Sequence, residues 1–299
     1  ITNQVLPSIN IGGVIGGSGT NRFVFADQGY LNGYLTGGTG TNMLDYSAYT
    51  TAIDVDLSKM DVTETRTVEG VPTPTILTGE ASGVKGINQI DQVVGGTTAG
   101  DTLTGFEEDN TWTLSGANAG TVTGATSARS VTFAGFEYLA GHTGHDDTYV
   151  IQSTGSLDGA LIGHPYGPDT GTDTVRIDSG NYTTVTMTAA GPDAGWIDRD
   201  ADRLRYIGID TVEDLSTAAN RVVTSAGDRT AQVYLAGDPY EAGQEWTLTV
   251  GGIDYTHTVA SENERLADVI TTWVGLLQAA GYVAIVRENT LLVTADDGT

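Results

Sequence analysis

Apolar residues in this chain come in short runs, three to six long, separated by clusters of Gly, Asn, Asp and Ser. Within Ile53-Asp54-Val55-Asp56-Leu57 the alternation is strict. A period of two predicts a strand with Ile53, Val55 and Leu57 turned inward and both aspartates outward. Val185-Thr186-Met187-Thr188 repeats the pattern. Helical periodicity is nearly missing before Ser261, so strand and turn signals predict an all-β region there.

The turns recur. Gly16-Gly17-Ser18-Gly19-Thr20-Asn21 precedes Arg22-Phe23-Val24, and Gly37-Gly38-Thr39-Gly40-Thr41-Asn42 precedes Met43-Leu44-Asp45. The stretch from Phe23 to Gly33 aligns without a gap on Tyr149 to Gly159, a shift of 126 residues. Gly40-Thr41-Asn42-Met43-Leu44 likewise meets Gly171-Thr172-Asp173-Thr174-Val175. A third element, Gly86-Ile87-Asn88-Gln89-Ile90-Asp91, matches Gly208-Ile209-Asp210-Thr211-Val212 and, more loosely, Gly135-Phe136-Glu137-Tyr138-Leu139. Repetition of this kind predicts units that bury their apolar faces against one another. The expected fold is mainly β, a parallel β-helix or β-solenoid. Coils of about 20–25 residues, stacked at ~4.8 Å, give about eight to ten coils and a rod about 40 Å long. Residues 61–83 break the pattern as a loop or hairpin between coils, with a counterpart at 191–196.

From about Arg229 the style changes. Strands are expected at 231–235, 246–250 and 255–259, the last two joined as a hairpin over Gly251-Gly252. Ser261-Glu262-Asn263-Glu264 reads as a capping box opening a helix with Leu266, Val269, Ile270, Trp273 and Leu277 on one face. Strands at 283–286 and 291–294 complete a small α+β module of order βββαββ. The expected organisation is a β-solenoid over 1–216, a linker over 217–228 and the module over 229–299.

The chain has 38 acidic and 13 basic residues and a formal charge of −25. That field repels phosphate backbones and anionic lipid surfaces, so nucleic acid and membrane insertion are not expected. It also favours screening by cations or salt. There is no cysteine, which excludes disulfides and thiolate chemistry. The first residues carry neither a basic n-region nor an apolar h-region, and the chain reads as a segment of a longer protein.

The Gly-rich turns, the Leu44-Asp45-Tyr46-Ser47-Ala48-Tyr49 segment, Gly95-Gly96 leading to Asp101-Thr102-Leu103-Thr104-Gly105, and residues 116–122 resemble the repeat regions of giant exported bacterial surface proteins, the RTX-like and filamentous-haemagglutinin-like adhesins. The βββαββ module is similar to small domains appended in tandem to such proteins. The resemblance covers roughly residues 10–215. It implies export, an extracellular or cell-surface location, adhesion or matrix construction, partners that are further copies or adjoining modules or surface polysaccharide, and calcium as cofactor. Calcium prefers six to eight oxygens, and RTX turns supply an Asp carboxylate at the sixth position. Asn21 and Asn42 stand there instead, while Asp173 fits; Asp169 stands four residues before it, Asp101 and Asp147 fit with one residue inserted, and Asp146 adjoins Asp147. These five aspartates are the candidate calcium turns.

His142, His145 and His164, close to Asp146 and Asp147, form an alternative transition-metal set. The bland reading, that the histidines decorate a degenerate turn, is favoured. Asp198-Arg199-Asp200-Ala201-Asp202-Arg203-Leu204-Arg205 is the one dense cluster of both signs. On a β-helix enzyme, paired carboxylates on neighbouring coils would act on polysaccharide, but a run on one coil reads more simply as a self-paired edge. Trp112, Tyr138, Tyr149 and Trp196 are expected mostly in the core. The sequence therefore points to a non-enzymatic spacer, scaffold or adhesive segment. A carbohydrate-active β-helix or polysaccharide-binding module is the alternative.

Overall fold

The computed structural model describes residues 11–68, 71–164, 170–191, 193–225, 230–234, 242–250, 252–261, 264, 266–280, 282–287 and 290–295. The short apolar runs become β1 (Gly13–Ile15), β2 (Asn21–Val24), β3 (Leu31–Thr36), β4 (Asn42–Asp45), β5 (Asp54–Asp56), β6 (Thr63–Val68), β7 (Val71–Ile76), β8 (Gly79–Ala81), β9 (Val84–Asn88) and β10 (Gln92–Val94). They continue as β11 (Thr102–Thr104), β12 (Asn110–Gly116), β13 (Ala119–Gly124), β14 (Ser130–Ala134), β15 (Tyr138–Ala140), β16 (Thr148–Ile151), β17 (Ala160–Ile162) and β18 (Thr174–Ile177). Then follow β19 (Thr184–Ala189), β20 (Ala194–Arg199), β21 (Asp202–Ile207), β22 (Thr211–Asp214) and β23 (Asn220–Ser225). The last elements are β24 (Thr230–Tyr234), β25 (Glu245–Val250), β26 (Ile253–Thr258), α1 (Leu266–Ala279), β27 (Tyr282–Arg287) and β28 (Thr290–Ala295).

The fold is mainly β, with two long sheets rich in parallel pairs. Sheet A holds fourteen strands in the order β1-β3-β9-β8-β5-β11-β15-β17-β21-β20-β19-β23-β25-β26. Sheet B holds nine, β2-β4-β10-β14-β13-β12-β16-β18-β22. The chain moves back and forth between the two sheets, and a core shared by both lies between them. Sheet B contributes the row Trp112, Tyr149 and Val175, and sheet A the row Val55, Leu103, Leu139 and Leu161, all essentially inaccessible to water. Trp112 and Tyr149 stack 5.8 Å apart at 11°, so these two expected core aromatics are core. Ile53, Val55 and Leu57 are buried, Asp54 is exposed and Asp56 half-buried, as the alternation requires. The duplication is preserved in pairing: Phe23 opposes Leu44 in one copy, and Tyr149 opposes Val175 in the other.

Simple parallel coils would advance one strand at a time, but three antiparallel meanders interrupt them. In β5-β8-β9, β12-β13-β14 and β19-β20-β21, the chain enters on the strand farther along the sheet, folds back twice, and leaves next to the preceding parallel strand. Residues 116–122, which read as another repeat turn, run from the end of β12 through the bend at Ala117-Asn118 into β13. Asn118 holds the left-handed φ of 49° there, a conformation Asn tolerates through local hydrogen bonding. Gly120 sits opposite Phe133, and the space a side chain would need is filled by the Thr113 carbonyl, with the Phe133 ring beside it. The expected insertion at 61–83 holds the β6–β7 hairpin followed by β8, and β20 begins at Ala194, inside the irregular stretch at 191–196.

The elements after Arg229 occur in the expected order, and Leu266, Val269, Ile270, Trp273 and Leu277 are all buried in a second core. Glu264 reaches back to the Ala260 N–H at 2.7 Å and meets His257 Nε2 at 2.5 Å, holding the chain into α1. The expected linker is different. Residues 220–225 form β23, paired in parallel with β19 on one side and β25 on the other. Buried Arg221 binds Asp214 at 2.8 Å and the Ser216 carbonyl at 2.6 Å, and its guanidinium lies 5.3 Å from the Trp246 ring. That ties the end of the first core to the second. Polar residues dominate 214–221, so the composition reads as linker although its charges are paired and buried.

Candidate functional site

The Gly-rich turns bring their Asn or Asp onto one edge of sheet B, where these side chains form ladders between neighbouring strands. Asn21 Nδ2 donates to Asn42 Oδ1 at 2.8 Å, and the Asn42 N–H donates to Asp91 Oδ2 at 2.8 Å. A second run links Asn110, Asp147, Asp173 and Asp210. In it the backbone N–H of each donates to the carboxylate of the next, at 2.8, 2.9 and 2.8 Å. The two runs are separate because β14 and β13 stand between β10 and β12. One residue earlier, Asp109 accepts the Asp146 N–H at 3.0 Å and Asp146 accepts that of Thr172 at 2.7 Å. On the sheet A edge, Asp101 accepts the Ile53 N–H at 3.0 Å, and Glu137 accepts that of Asp101 at 3.0 Å.

Turn length decides which residue type closes the turn. Residues 16–21, 37–42 and 105–110 are six-residue turns ending in Asn. In each, Nδ2 donates to the carbonyls four and two residues back: Gly17 and Gly19, Gly38 and Gly40, Phe106 and Glu108. Residues 95–101 and 141–147 are one longer and end in Asp. There the N–H of the second turn residue donates to the closing Asp, from Gly96 to Asp101 and from His142 to Asp147, as the Gly17 and Phe106 N–H groups also do to the Oδ1 of Asn21 and Asn110. What sets the six-residue turns apart is the pair of carbonyls pointing inward, which need the amide donor that Asn has and Asp lacks.

Asp101, Asp147 and Asp173 are completely buried. Burial pushes the Asp147 carboxyl up to about 7, although the Asn110 amide and the N–H groups of His142 and Asn110 pull it down. Asp101 is also raised by burial, against the N–H groups of Ile53 and Gly96 and with repulsion from Glu137 and Asp54 adding to it.

The sequence-derived candidates are thus distributed along the turns. Asp101, Asp147 and Asp173 accept N–H groups, Asp146 does so at the surface, and Asp169 lies outside the described residues. His142 and His145 have ring centroids 5.8 Å apart. His145 Nδ1 is 3.4 Å from Asp109, and His164 Nδ1 is 3.8 Å from Asp173. Gly141 and Gly163 follow the paired residues Ala140 and Ile162, so His142 and His164 do lie on neighbouring strands' turns. Among the described residues no three of His, Asp and Glu gather into a group that could hold a metal. The charged cluster is self-paired: Arg203 binds Asp198 at 2.6 Å, and Arg199 binds Asp202. Trp196 carries Arg203 5.2 Å above its ring, while Tyr138 is 36% exposed.

A feature the sequence did not single out lies on the outer face of sheet A. A groove of about 800 Å³ crosses β9, β8, β5, β11, β15 and β17, with Asp54, Asp56, Glu80, Lys85, Thr102 and Thr104 among its lining. Asp56 stands opposite both Thr104 and Glu80, and Asp54 opposite Thr102. The outward aspartates were legible from alternation; Glu80 was not, because its place beside Asp56 depends on the meander. Among the described residues no helix is long and apolar enough to cross a membrane. Compared with protein-family models, with curated proteins and with solved structures, the chain matches none of them.

Proposed function

We propose that residues 11–225 form a β-solenoid whose role is mechanical: a structural or adhesive segment of a large exported bacterial surface or matrix protein, acting as spacer, scaffold or fibre-forming element and carrying no catalysis of its own. The observation that carries this reading is the pair of long sheets visited in alternation, with Asn/Asp ladders tying turn to turn. Such an arrangement places hydrogen bonds along the stack and commits its recurring turn residue, Asn or Asp, to holding neighbouring strands together. The acidic balance suits a surface that stays soluble and repels other anionic surfaces. At Asp101 and Asp147, two of the candidate calcium turns, the carboxylates are engaged by backbone N–H groups.

Meanders make the segment resist peeling. Successive ladder residues are 21 and 26 positions apart across simple coils, and 49 or 37 apart where a meander intervenes. Pulled from its ends in an optical trap, the segment is expected to release length in two size classes, at roughly 3.5 Å per residue. Simple coils give steps of about 70–90 Å and meander units about 130–170 Å. A single all-or-none rip, or smooth lengthening without steps, would contradict the reading.

A further inference from the structure

We infer that the groove on the outer face of sheet A binds an extended, neutral polysaccharide chain. This goes beyond the scaffold reading and does not rest on it.

The groove runs across six neighbouring strands, five spacings of ~4.8 Å, so it is roughly 24 Å long and suited to an extended chain lying across the strands. Its acidic groups are of an uncommon kind in this molecule. Most aspartates and glutamates near the turns are engaged: Asp91, Asp101, Asp147 and Asp173 by N–H groups, Asp45 and Asp214 by arginines. The Asp54 and Glu80 carboxylates, by contrast, accept no hydrogen bond or ion pair from the described residues, and Asp56 accepts only the Ser58 N–H at 2.8 Å. Their oxygens face the groove as open acceptors.

Beside them stand groups of the opposite and of mixed character. Thr102 and Thr104 are hydroxyls that both donate and accept, and Lys85 is a donor. Ala140 and Ile162 give the far end an apolar floor. Acceptors, hydroxyls, a donor and apolar carbon side by side are what a polyhydroxyl chain requires, because each sugar presents O–H groups of both kinds on a carbon ring. A polycation would pair with the three carboxylates but leave Lys85, the threonine hydroxyls and the apolar floor unused, and it is the competing occupant that the test separates. An anionic polysaccharide meets the charge of −25. A metal is disfavoured by the spacing of the acids.

The test is electrophoresis of the whole chain through native gels containing neutral polysaccharides (dextran, a mixed-linkage β-glucan, a galactomannan), alginate as the anionic arm, and soluble polylysine as a competitor. Retardation in at least one neutral gel and none in alginate is expected. The double variant Asp54→Asn/Glu80→Gln is expected to reduce that retardation at least tenfold. Because these carboxylates make no bonds among the described residues, its circular dichroism spectrum and unfolding midpoint should match the parent's. Migration unchanged in every neutral gel would overturn the inference. So would retardation that the double variant retains, or binding to polylysine alone.

Discussion

Asn110→Asp will destabilise the protein by at least about 3 kcal/mol, read as a fall in the midpoint of urea unfolding. Asn110 is 2% exposed, and the two hydrogens of its Nδ2 are shared among the carbonyls of Phe106 and Glu108 and the Asp147 carboxylate, at 3.0, 2.6 and 2.8 Å. A carboxylate there cannot donate. It would set three acceptors against a charge in a dry site, one of them already an acid. Asn42→Asp meets the same geometry with Gly38 and Gly40 and should be nearly as costly. An Asn110→Asp variant within about 0.5 kcal/mol of the parent would show that these six-residue turns do not select for a donor.

The second large effect is on pH. Asp147 is raised from 3.8 to about 7 in the folded protein. The folded state therefore holds a proton that the unfolded chain has released, and stability falls as pH rises from about 4 to about 7. The shift corresponds to at most roughly 4 kcal/mol. Asp101 and Asp61 are also raised by burial and act in the same direction. Glu107 is held low, chiefly by its bond to Lys59; Asp45 is held low by Ser47 and Arg22 although burial opposes them. These two contribute in the opposite sense, losing stability only as pH falls below their usual carboxylate range. Relief of repulsion among 38 acids also favours the folded state on acidification, so the decisive comparison is with Asp147→Asn. That variant loses part of its baseline, since one N–H now faces an amide, but its stability should change much less between pH 4 and 7. Parallel pH profiles for the two proteins would contradict the assignment.

Much of this architecture is legible in the chain because it rests on local rules. Strict alternation placed Ile53, Val55 and Leu57 inside, and the 126-residue repeat put Phe23 and Tyr149 in equivalent places opposite Leu44 and Val175. The α1 face was visible in the spacing of Leu266, Val269, Ile270, Trp273 and Leu277. What stayed hidden depends on which strands become neighbours. β12, β13 and β14 look like three more coil strands, since nothing local distinguishes a residue that pairs parallel from one that pairs antiparallel. The groove has the same origin, because Asp56 and Glu80 are brought together only by the reversal between β5 and β8. Asn21 and Asn42 read as weakened calcium ligands, whereas their amide nitrogens, like that of Asn110, are what the turns use. The signal was present in the loop lengths, six residues with Asn and seven with Asp.

The stacking of strands along one axis is tested most directly by small-angle X-ray scattering of the monomer in solution. Fourteen strands in sheet A at ~4.8 Å give a stack of roughly 62 Å. With end loops and side chains, the largest dimension should reach about 70 Å or more. The radius of gyration should then lie clearly above the roughly 19 Å of a compact chain of this length. A radius near 19 Å with a largest dimension of about 50 Å would contradict the account.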